Sequence, residues 1–529
     1  MADTSKKQTF LHGAALLALA TAIVKVIGAV YKIPLKMIIG DDGFGYFSTA
    51  YSIYNVLLAI STAGLPIAMS RLVSQASTMG HQNQVRQVYR VSRVLFLILG
   101  IAGTLLMTLG SGWLAGAMMQ PNAQAAILCL APSCLLICLM STYRGFFQGQ
   151  ENMRPTSVSQ VLEAFVKLIV GLSLAFLIQK YTKNVALATG GAILGVTVSC
   201  LASAIYLKGK LTPAYRDLPK TGEAPLSFGA TAKKLLAIAV PITISSAGLY
   251  LLAVLETKFY MQQLLGNLGY TQEAADHMKG IYNFTQTVYN MPCAFIIPIA
   301  ISVLPAITAH LTRKDDGAVR ATEESAARVT GLISMPCSVG LFVLAEPILA
   351  ILGRYSGERL ALATVLMRVQ AVMVFLYAVV QYTNAVLQAH DRVMIPVVNT
   401  LVFGSMKIAA VYFMVGKIGL AGAPLGTALC YVCIGGMNLI AIARVVTQKP
   451  RMLRNLFRAL PAALVMGAVA FAAYWGVGQV VSSRLLQCAV PVAVGVIVYV
   501  PAVVLTKAIT RADCRLLPKG EKLAKLLHL

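Results

Sequence analysis

The sequence predicts an all-α membrane protein of about fourteen transmembrane helices, in two pseudo-symmetric lobes of about six helices and a C-terminal pair. Three observations support this. Of the 529 residues, 58% are hydrophobic and only 12% are charged, and the mean hydropathy is +0.75. Long apolar segments recur along the chain, and its two halves resemble each other. Because soluble proteins are about 25% charged, the composition excludes a cytosolic enzyme, a secreted disulfide scaffold and a disordered chain.

Apolar segments of about 18 residues or more define the predicted helices. The first follows Lys6 and Lys7 and resembles a secretory signal peptide, but it continues to Ile39. That length exceeds the apolar region of a signal peptide, so we expect a retained helix. The predicted spans are 10–39, 44–70, 91–117, 123–147, 156–178, 185–207, 232–264, 280–309, 328–351, 362–388, 394–415, 419–443, 458–479 and 486–506.

Lysine and arginine are distributed unevenly among the predicted loops. With a cytoplasmic N-terminus, the loops on that side hold most of the 44 Lys and Arg residues, including the basic stretch 208–234. Cytoplasmic loops of membrane proteins carry such an excess. Both termini are therefore predicted in the cytoplasm. The same bias accounts for the net charge of +25, so no nucleic-acid partner is expected.

A weak internal repeat divides the chain. The run K-I-P-L-K-M-I-I-G at 32–40 matches K-F-Y-M-Q-Q-L-L-G at 258–266, and Gln148 and Lys167 match Gln388 and Lys407 in the same order. Repeats of about six helices give lobes related by an axis along the membrane normal. We predict an N-terminal lobe at 1–229, a C-terminal lobe at 230–454, and an extra helix pair with a basic tail at 455–529.

Charged side chains inside the predicted helices are mostly cationic. A charge at the bilayer centre costs at least about 2.5–3.5 kcal/mol, so such residues usually face a cavity or a partner. Lys25 and Lys32 share one helix face with Lys36, which is nearer the helix end. These positions predict a cationic cavity, with Lys258 as the counterpart of Lys32. With the residues near the span ends assigned to loops, the cations of the membrane segments are Lys25, Lys32, Lys36, Lys167, Lys258, Arg368 and Lys407.

The acids that lie deepest within the predicted helices are Glu163 and Glu256. Glu163 precedes Lys167 by four residues, a spacing that favours an ion pair along a helix. Glu256 is two residues from Lys258, so the two side chains point to different sides. Both acids are candidates for ion coupling.

Two groups of polar residues complete the candidate site. Asn283, Gln286 and Asn290 form a stripe on the eighth helix, and Asn55 lies on the second helix, before Pro66. Such side chains either bridge helices or line a hydrated path, and the sequence leaves both alternatives open.

No catalytic motif, nucleotide-binding motif or metal-ligand cluster is evident in the sequence. The ten cysteines are scattered through apolar segments. We therefore expect a transporter rather than an enzyme, without a cofactor or a metal.

Residues 23–47 and 61–74, with the run Y-R-G-F-F-Q-G at 143–149, resemble the MOP flippase superfamily. The similarity is greatest to the branch that holds stage V sporulation protein B and the MurJ-type lipid II flippases.

This resemblance implies a V-shaped, two-lobed transporter that works by alternating access. It places Lys25 and Lys32 where the family has cavity-facing cations, and Asp41 or Asp42 where it has an acid. The family's cation in the eighth span has no match here. The last two spans resemble the family's extra pair, which is implicated in accommodating the lipid tail.

The resemblance implies a flippase that moves a polyprenyl-diphosphate-linked saccharide, above all the peptidoglycan precursor lipid II, from the inner to the outer leaflet of the bacterial cytoplasmic membrane. Alternatives are a flippase for another lipid-linked polysaccharide unit and a drug or cation antiporter of the MATE group. The scarcity of membrane acids argues against the antiporter. Expected partners are the lipid-linked substrate and membrane lipids, with cell-wall synthesis proteins as candidates. We expect a monomer.

The charge pattern predicts transport driven by the membrane potential. A diphosphate diester carries close to two negative charges, and an inside-negative potential favours its outward movement by about 2.3 kcal/mol per charge per 100 mV. Collapsing the potential in intact cells, with the pH gradient held, should slow the appearance of substrate outside. Undiminished transport that stopped only when a sodium or proton gradient was removed would contradict this and implicate Glu163 or Glu256.

Overall fold

The computed structural model describes residues 2–62, 64–446, 449–480 and 483–510, and these residues form helices without any strand. The predicted all-α class is confirmed. The predicted basic tail at 511–529 lies outside the described residues. The helices are α1 Ala2–Thr62, α2 Gly64–Thr78, α3 Gln82–Leu109, α4 Ser111–Ala117, α5 Gln124–Gly149, α6 Arg154–Thr182, α7 Val185–Arg216, α8 Phe228–Gln262, α9 Gln272–Thr312, α10 Asp316–Val343, α11 Ala345–Leu352, α12 Gly357–Ala389, α13 Met394–Ile418, α14 Gly422–Val445, α15 Met452–Leu456, α16 Leu460–Val480 and α17 Arg484–Leu505.

Eleven helical stretches of the described chain are long and apolar enough to cross a membrane. Two of them, Ile23–Thr78 and Met394–Val445, exceed 50 residues because each joins successive helices. Within α1, Gly40 has a left-handed backbone with φ of 71° and divides the helix into two segments. The protein is therefore a multi-pass membrane protein, while the count of fourteen stays a prediction.

The chain divides by its contacts into two units. The first holds the chain up to Gln262 together with Tyr270–Gly280, and the second holds Gln263–Gly269 together with the chain from Ile281. Helix α8 thus belongs to the first unit by contact, whereas the repeat assigns it to the second lobe. The lobe boundaries rest on sequence similarity and stay a prediction.

Close packing of α1, α6 and α7 forms part of the core of the first unit. Tyr31 on α1 is buried, and its hydroxyl donates a hydrogen bond to the Ala192 carbonyl at 3.3 Å. A Cβ atom on Gly171 would lie 2.9 Å from the Tyr31 hydroxyl, and one on Gly195 would overlap the backbone of Gly171. The two glycines therefore let α6 and α7 approach closely and leave room for the tyrosine.

The second unit has its own core, in which the last two helices take part. Helix α10 packs against α12, α15 and α16, and the Tyr382 hydroxyl donates to the Glu323 carbonyl at 3.0 Å. Helix α17 packs against α16, and the Tyr499 hydroxyl donates to the Leu332 carbonyl at 2.7 Å. The C-terminal pair is thus joined to the second unit by both apolar and polar contacts.

The α6–α7 contact predicts the effect of one substitution. Gly195→Val should destabilise the protein by about 1–3 kcal/mol, because added methyl groups at a close contact force the backbones apart. Thermal unfolding in detergent measures this. Gly209→Val in the same helix is the control, since nothing lies within 4 Å of its Cβ position. Equal stability of the two variants would contradict the packing argument.

Candidate functional site

The three lysines of α1 lie in different environments. Lys25 is exposed, Lys32 is half-buried, and Lys36 is only 7% exposed. The Lys36 ammonium lies 3.4 Å from Asp41 Oδ1, on the other side of the Gly40 break. Lys36 is therefore partly neutralised by an acid that follows the first membrane segment, and Lys25 and Lys32 are the remaining cations of this face.

Lys32 has a second lysine as its neighbour. The Lys167 ammonium on α6 lies 5.5 Å from the centroid of the Tyr31 ring, at a distance typical of a cation–π contact. Lys32 and Lys167 are close enough for their charges to interact. Tyr31 is fixed by its own packing, and its ring holds the Lys167 side chain. Because Lys32 follows Tyr31 in α1, Lys167 is held close to Lys32.

Glu163 is paired with Arg144 rather than with Lys167. The Arg144 guanidinium donates to Glu163 Oε2 at 3.0 Å and to the Ser159 hydroxyl at 3.0 Å. Glu163 stays within electrostatic reach of Lys167, but its direct partner comes from α5. This corrects the predicted pair along α6. Neither Lys32 nor Lys167 forms an ion pair within the described chain.

Other predicted site residues occupy separate places. In the first unit Lys258 and Asn55 are half-buried, and Glu256 is buried. In the second unit Asn283 is buried, with an amide nitrogen that donates no hydrogen bond among the described residues. Gln286 is half-buried and Asn290 is exposed. The Arg368 guanidinium lies 5.9 Å from the Phe342 ring. The structure thus brings Lys32 and Lys167 together within the first unit.

Comparison with known proteins identifies the family. A profile described as polysaccharide biosynthesis protein matches residues 10–311, more than half of the chain. The chain belongs to this family of polysaccharide biosynthesis proteins.

Two curated relatives come from Bacillus subtilis (strain 168). Stage V sporulation protein B is 26% identical over 449 residues, covering 83% of this chain and 84% of the relative. Lipid II flippase MurJ is 24% identical over 451 residues, covering 82% of each. The solved inward closed conformation of lipid II flippase MurJ matches with a TM-score of 0.68 at 13% identity, covering 93% of this chain and 98% of that chain. The fold is therefore shared, and the predicted membership of the MOP superfamily is confirmed.

The structure of this polysaccharide biosynthesis protein also shows a cluster that the sequence pattern misses. The predicted spans 232–264 and 280–309 leave Lys279 in a loop, but its side chain is 1% exposed and contacts Thr49 and Gln120. Lys279 immediately precedes the predicted eighth span. Helix α9 begins before that span, in polar turns that hydropathy alone does not reveal as helical. The spacing of Asp276 and Lys279 by three residues, with Glu273 before them, is the signal that would have found it.

Proposed function

We propose that this protein moves a polyprenyl-diphosphate-linked saccharide, in the first place lipid II, from the inner to the outer leaflet of the bacterial cytoplasmic membrane by alternating access. It acts as a monomer without catalysing a covalent reaction, and both of its termini face the cytoplasm. The curated relatives support transport of this class, since one of them is a lipid II flippase. The observation that carries the proposal is the pair of adjacent lysines, Lys32 and Lys167.

Two adjacent ammonium groups suit a diphosphate. A lysine in a membrane helix is costly unless a cavity or a partner compensates for its charge. Lys32 and Lys167 have no ion-pair partner within the described chain, so a diphosphate with close to two negative charges is a matching counter-ion. Charge-assisted hydrogen bonds from ammonium to phosphate oxygens are about twice as strong as neutral ones.

The remaining predicted residues take supporting roles in the proposed cycle. Lys25, exposed on the same helix, and Lys258 add positive charge along the path of the diphosphate. Asn55 in the first unit contacts the saccharide head group. The polar stripe of the second unit offers further hydrogen-bonding groups to the head group: Asn283, Gln286 and Asn290.

The acids are less suited to substrate binding. Asp41 lies beside Lys36, and Glu163 is held by Arg144. These carboxylates therefore set the local charge, and with Glu256 they stay candidates for ion coupling.

The family description favours a second candidate function, a flippase for another lipid-linked polysaccharide unit. The diphosphate is the same in both cases, so transport assays with two head groups separate them.

Removing either Lys32 or Lys167 should slow transport. Lys32→Gln and Lys167→Gln are each expected to lower the rate at least tenfold, about 1.4 kcal/mol, because one charge-assisted contact to the diphosphate is lost. Mass spectrometry of lipid II reaching the opposite leaflet of reconstituted vesicles measures the rate. Lys180→Gln, exposed near the end of α6, is the matched control. Wild-type rates in both variants would refute the diphosphate role.

The Arg144–Glu163 pair provides a second test. Arg144→Gln should lower transport roughly tenfold, because the freed Glu163 carboxylate can then neutralise Lys167. The double variant Arg144→Gln with Glu163→Gln should recover much of the loss, since no acid remains beside Lys167. If the double variant transports more slowly than Arg144→Gln alone, Arg144 acts in some other way and this account of the pair fails.

A further inference from the structure

The first two turns of α9 pack directly on α1 within the first unit. A Cβ atom on Gly280 would overlap the backbone carbonyl of Asp41, and one on Gly45 would lie 3.1 Å from the Asp276 carbonyl. Backbone therefore meets backbone at this contact. Any group buried between the two helices is removed from water for as long as they stay packed.

Lys279 is buried at this contact. Its ammonium donates to the Thr49 hydroxyl and to Gln120 Oε1, the latter at 2.8 Å. Both partners are neutral and fully buried. When Lys279 is protonated, its buried positive charge is therefore not neutralised by its direct hydrogen-bond partners.

The nearest acid reaches Lys279 only through an amide. Asp276 is also 1% exposed, and its Oδ1 accepts hydrogen bonds from Gln120 Nε2 and Gln272 Nε2, both at 2.8 Å. The Asp276 carboxyl also lies close to Tyr46, and its Oδ2 accepts no well-formed hydrogen bond among the described residues. Gln120 thus links the ammonium and the carboxylate, which form no ion pair with each other in the described chain.

The other charged groups around this contact are engaged elsewhere. His277 Nδ1 lies 3.1 Å from Asp42 Oδ1, and His277 Nε2 lies 3.6 Å from Asp41 Oδ2. Asp41 also has the Lys36 contact. The titratable and charged groups at or near this contact are Lys36, Asp41, Asp42 and Tyr46 on α1, Glu256 and Tyr260 on α8, and Asp276 and His277 on α9.

We propose that Lys279 is a proton-binding site that controls the packing of α9 against α1: the packed arrangement releases the proton, and separation of the two helices takes it up. The proton would regulate the transporter proposed above. The effect on transport rests on the proposed function. The link between proton binding by Lys279 and the packing of α9 against α1 does not, because it holds for any substrate.

The direction of the pH dependence follows from the burial of Lys279. This residue lies outside the predicted membrane spans. Burial lowers the pKa of Lys279 to about 7, although Asp276 acts in the opposite direction. In water the pKa would return to about 10.4. Between these two pKa values the separated arrangement binds one more proton, so the ratio of packed to separated molecules rises up to about tenfold per pH unit. Below the lower value both arrangements are protonated, and Lys279 adds no pH dependence.

Asp276 makes the packing respond to pH in the opposite direction. Burial raises the pKa of Asp276, so a proton on this carboxyl favours the packed arrangement, and the protection that depends on Asp276 falls as the pH rises. A rise in protection with pH therefore distinguishes Lys279 from Asp276.

Hydrogen–deuterium exchange of the full chain in lipid nanodiscs tests the proposal. Exchange of peptides covering 41–50 and 270–282, corrected for the intrinsic rate, reports how often this contact opens. From about pH 7 to about pH 9.5, protection in the wild type should rise by up to about tenfold per unit. Constant wild-type protection over that range would overturn the proposal.

Two substitutions at Lys279 should each make protection from exchange independent of pH, one at a high level and the other at a low level. Lys279→Met cannot bind a proton, so the contact should stay protected at every pH. Lys279→Arg cannot release one, so protection should stay low throughout. If both variants keep the wild-type slope, Lys279 is not the site. If Lys279→Met fails to fold, the wild-type profile and the Lys279→Arg level still decide.

Three control variants distinguish the effect of Lys279 from that of His277 and from the proposed transport function. His277→Gln and Lys180→Met should keep the wild-type slope above neutral pH, and loss of the slope in His277→Gln would assign the proton to the histidine instead. Lys32→Gln should also keep the slope although it removes the proposed diphosphate contact. Failure of the exchange test therefore overturns the proton site alone, and wild-type transport by Lys32→Gln overturns the proposed function alone.

Discussion

The ion pair between Arg144 and Glu163 determines the charge of the proposed substrate site. Glu163 is the only acid among the predicted spans of the first repeat, and a free carboxylate there would neutralise the lysine four residues further along the helix. Arg144 instead holds it at 3.0 Å. Lys167 and Lys32 consequently keep their positive charge for an anionic ligand. The charge of the site therefore depends on an arginine on a different helix.

Packing then fixes where that charge lies. Gly171 and Gly195 allow α6 and α7 to approach, Tyr31 fills the space beside them, and its ring receives the Lys167 ammonium. The same α1 helix continues past Gly40 to the contact that buries Lys279. One helix thus carries the lysine of the proposed diphosphate site before its break and a ligand of the proposed proton site after it. A change in how the second segment packs is therefore physically connected to the substrate site.

Composition and apolar periodicity were enough to predict the all-α membrane fold, and the motifs at 23–47 and 61–74 were enough to predict the superfamily. Periodicity also placed Lys25 and Lys32 on one face of α1. It could not identify the partner of Glu163, because Arg144 lies on another helix and a favourable partner was already present within α6. Lys279 was assigned to a loop since hydropathy locates apolar segments and not the polar helical turns that precede them. Both errors concern contacts between helices, which a pattern along one helix does not contain.

The most direct test of the central claim is whether Lys32 and Lys167 bind the diphosphate itself. Native mass spectrometry of the purified protein can compare polyprenyl diphosphate with the monophosphate of the same chain length, with no saccharide present. The account predicts that the wild type prefers the diphosphate by about tenfold or more, since a second charged contact is worth about 1.4 kcal/mol or more. It also predicts that Lys32→Gln and Lys167→Gln each lose this preference while Lys180→Gln keeps it. Equal binding of the two lipids by the wild type, or an unchanged preference in both lysine variants, would contradict the account.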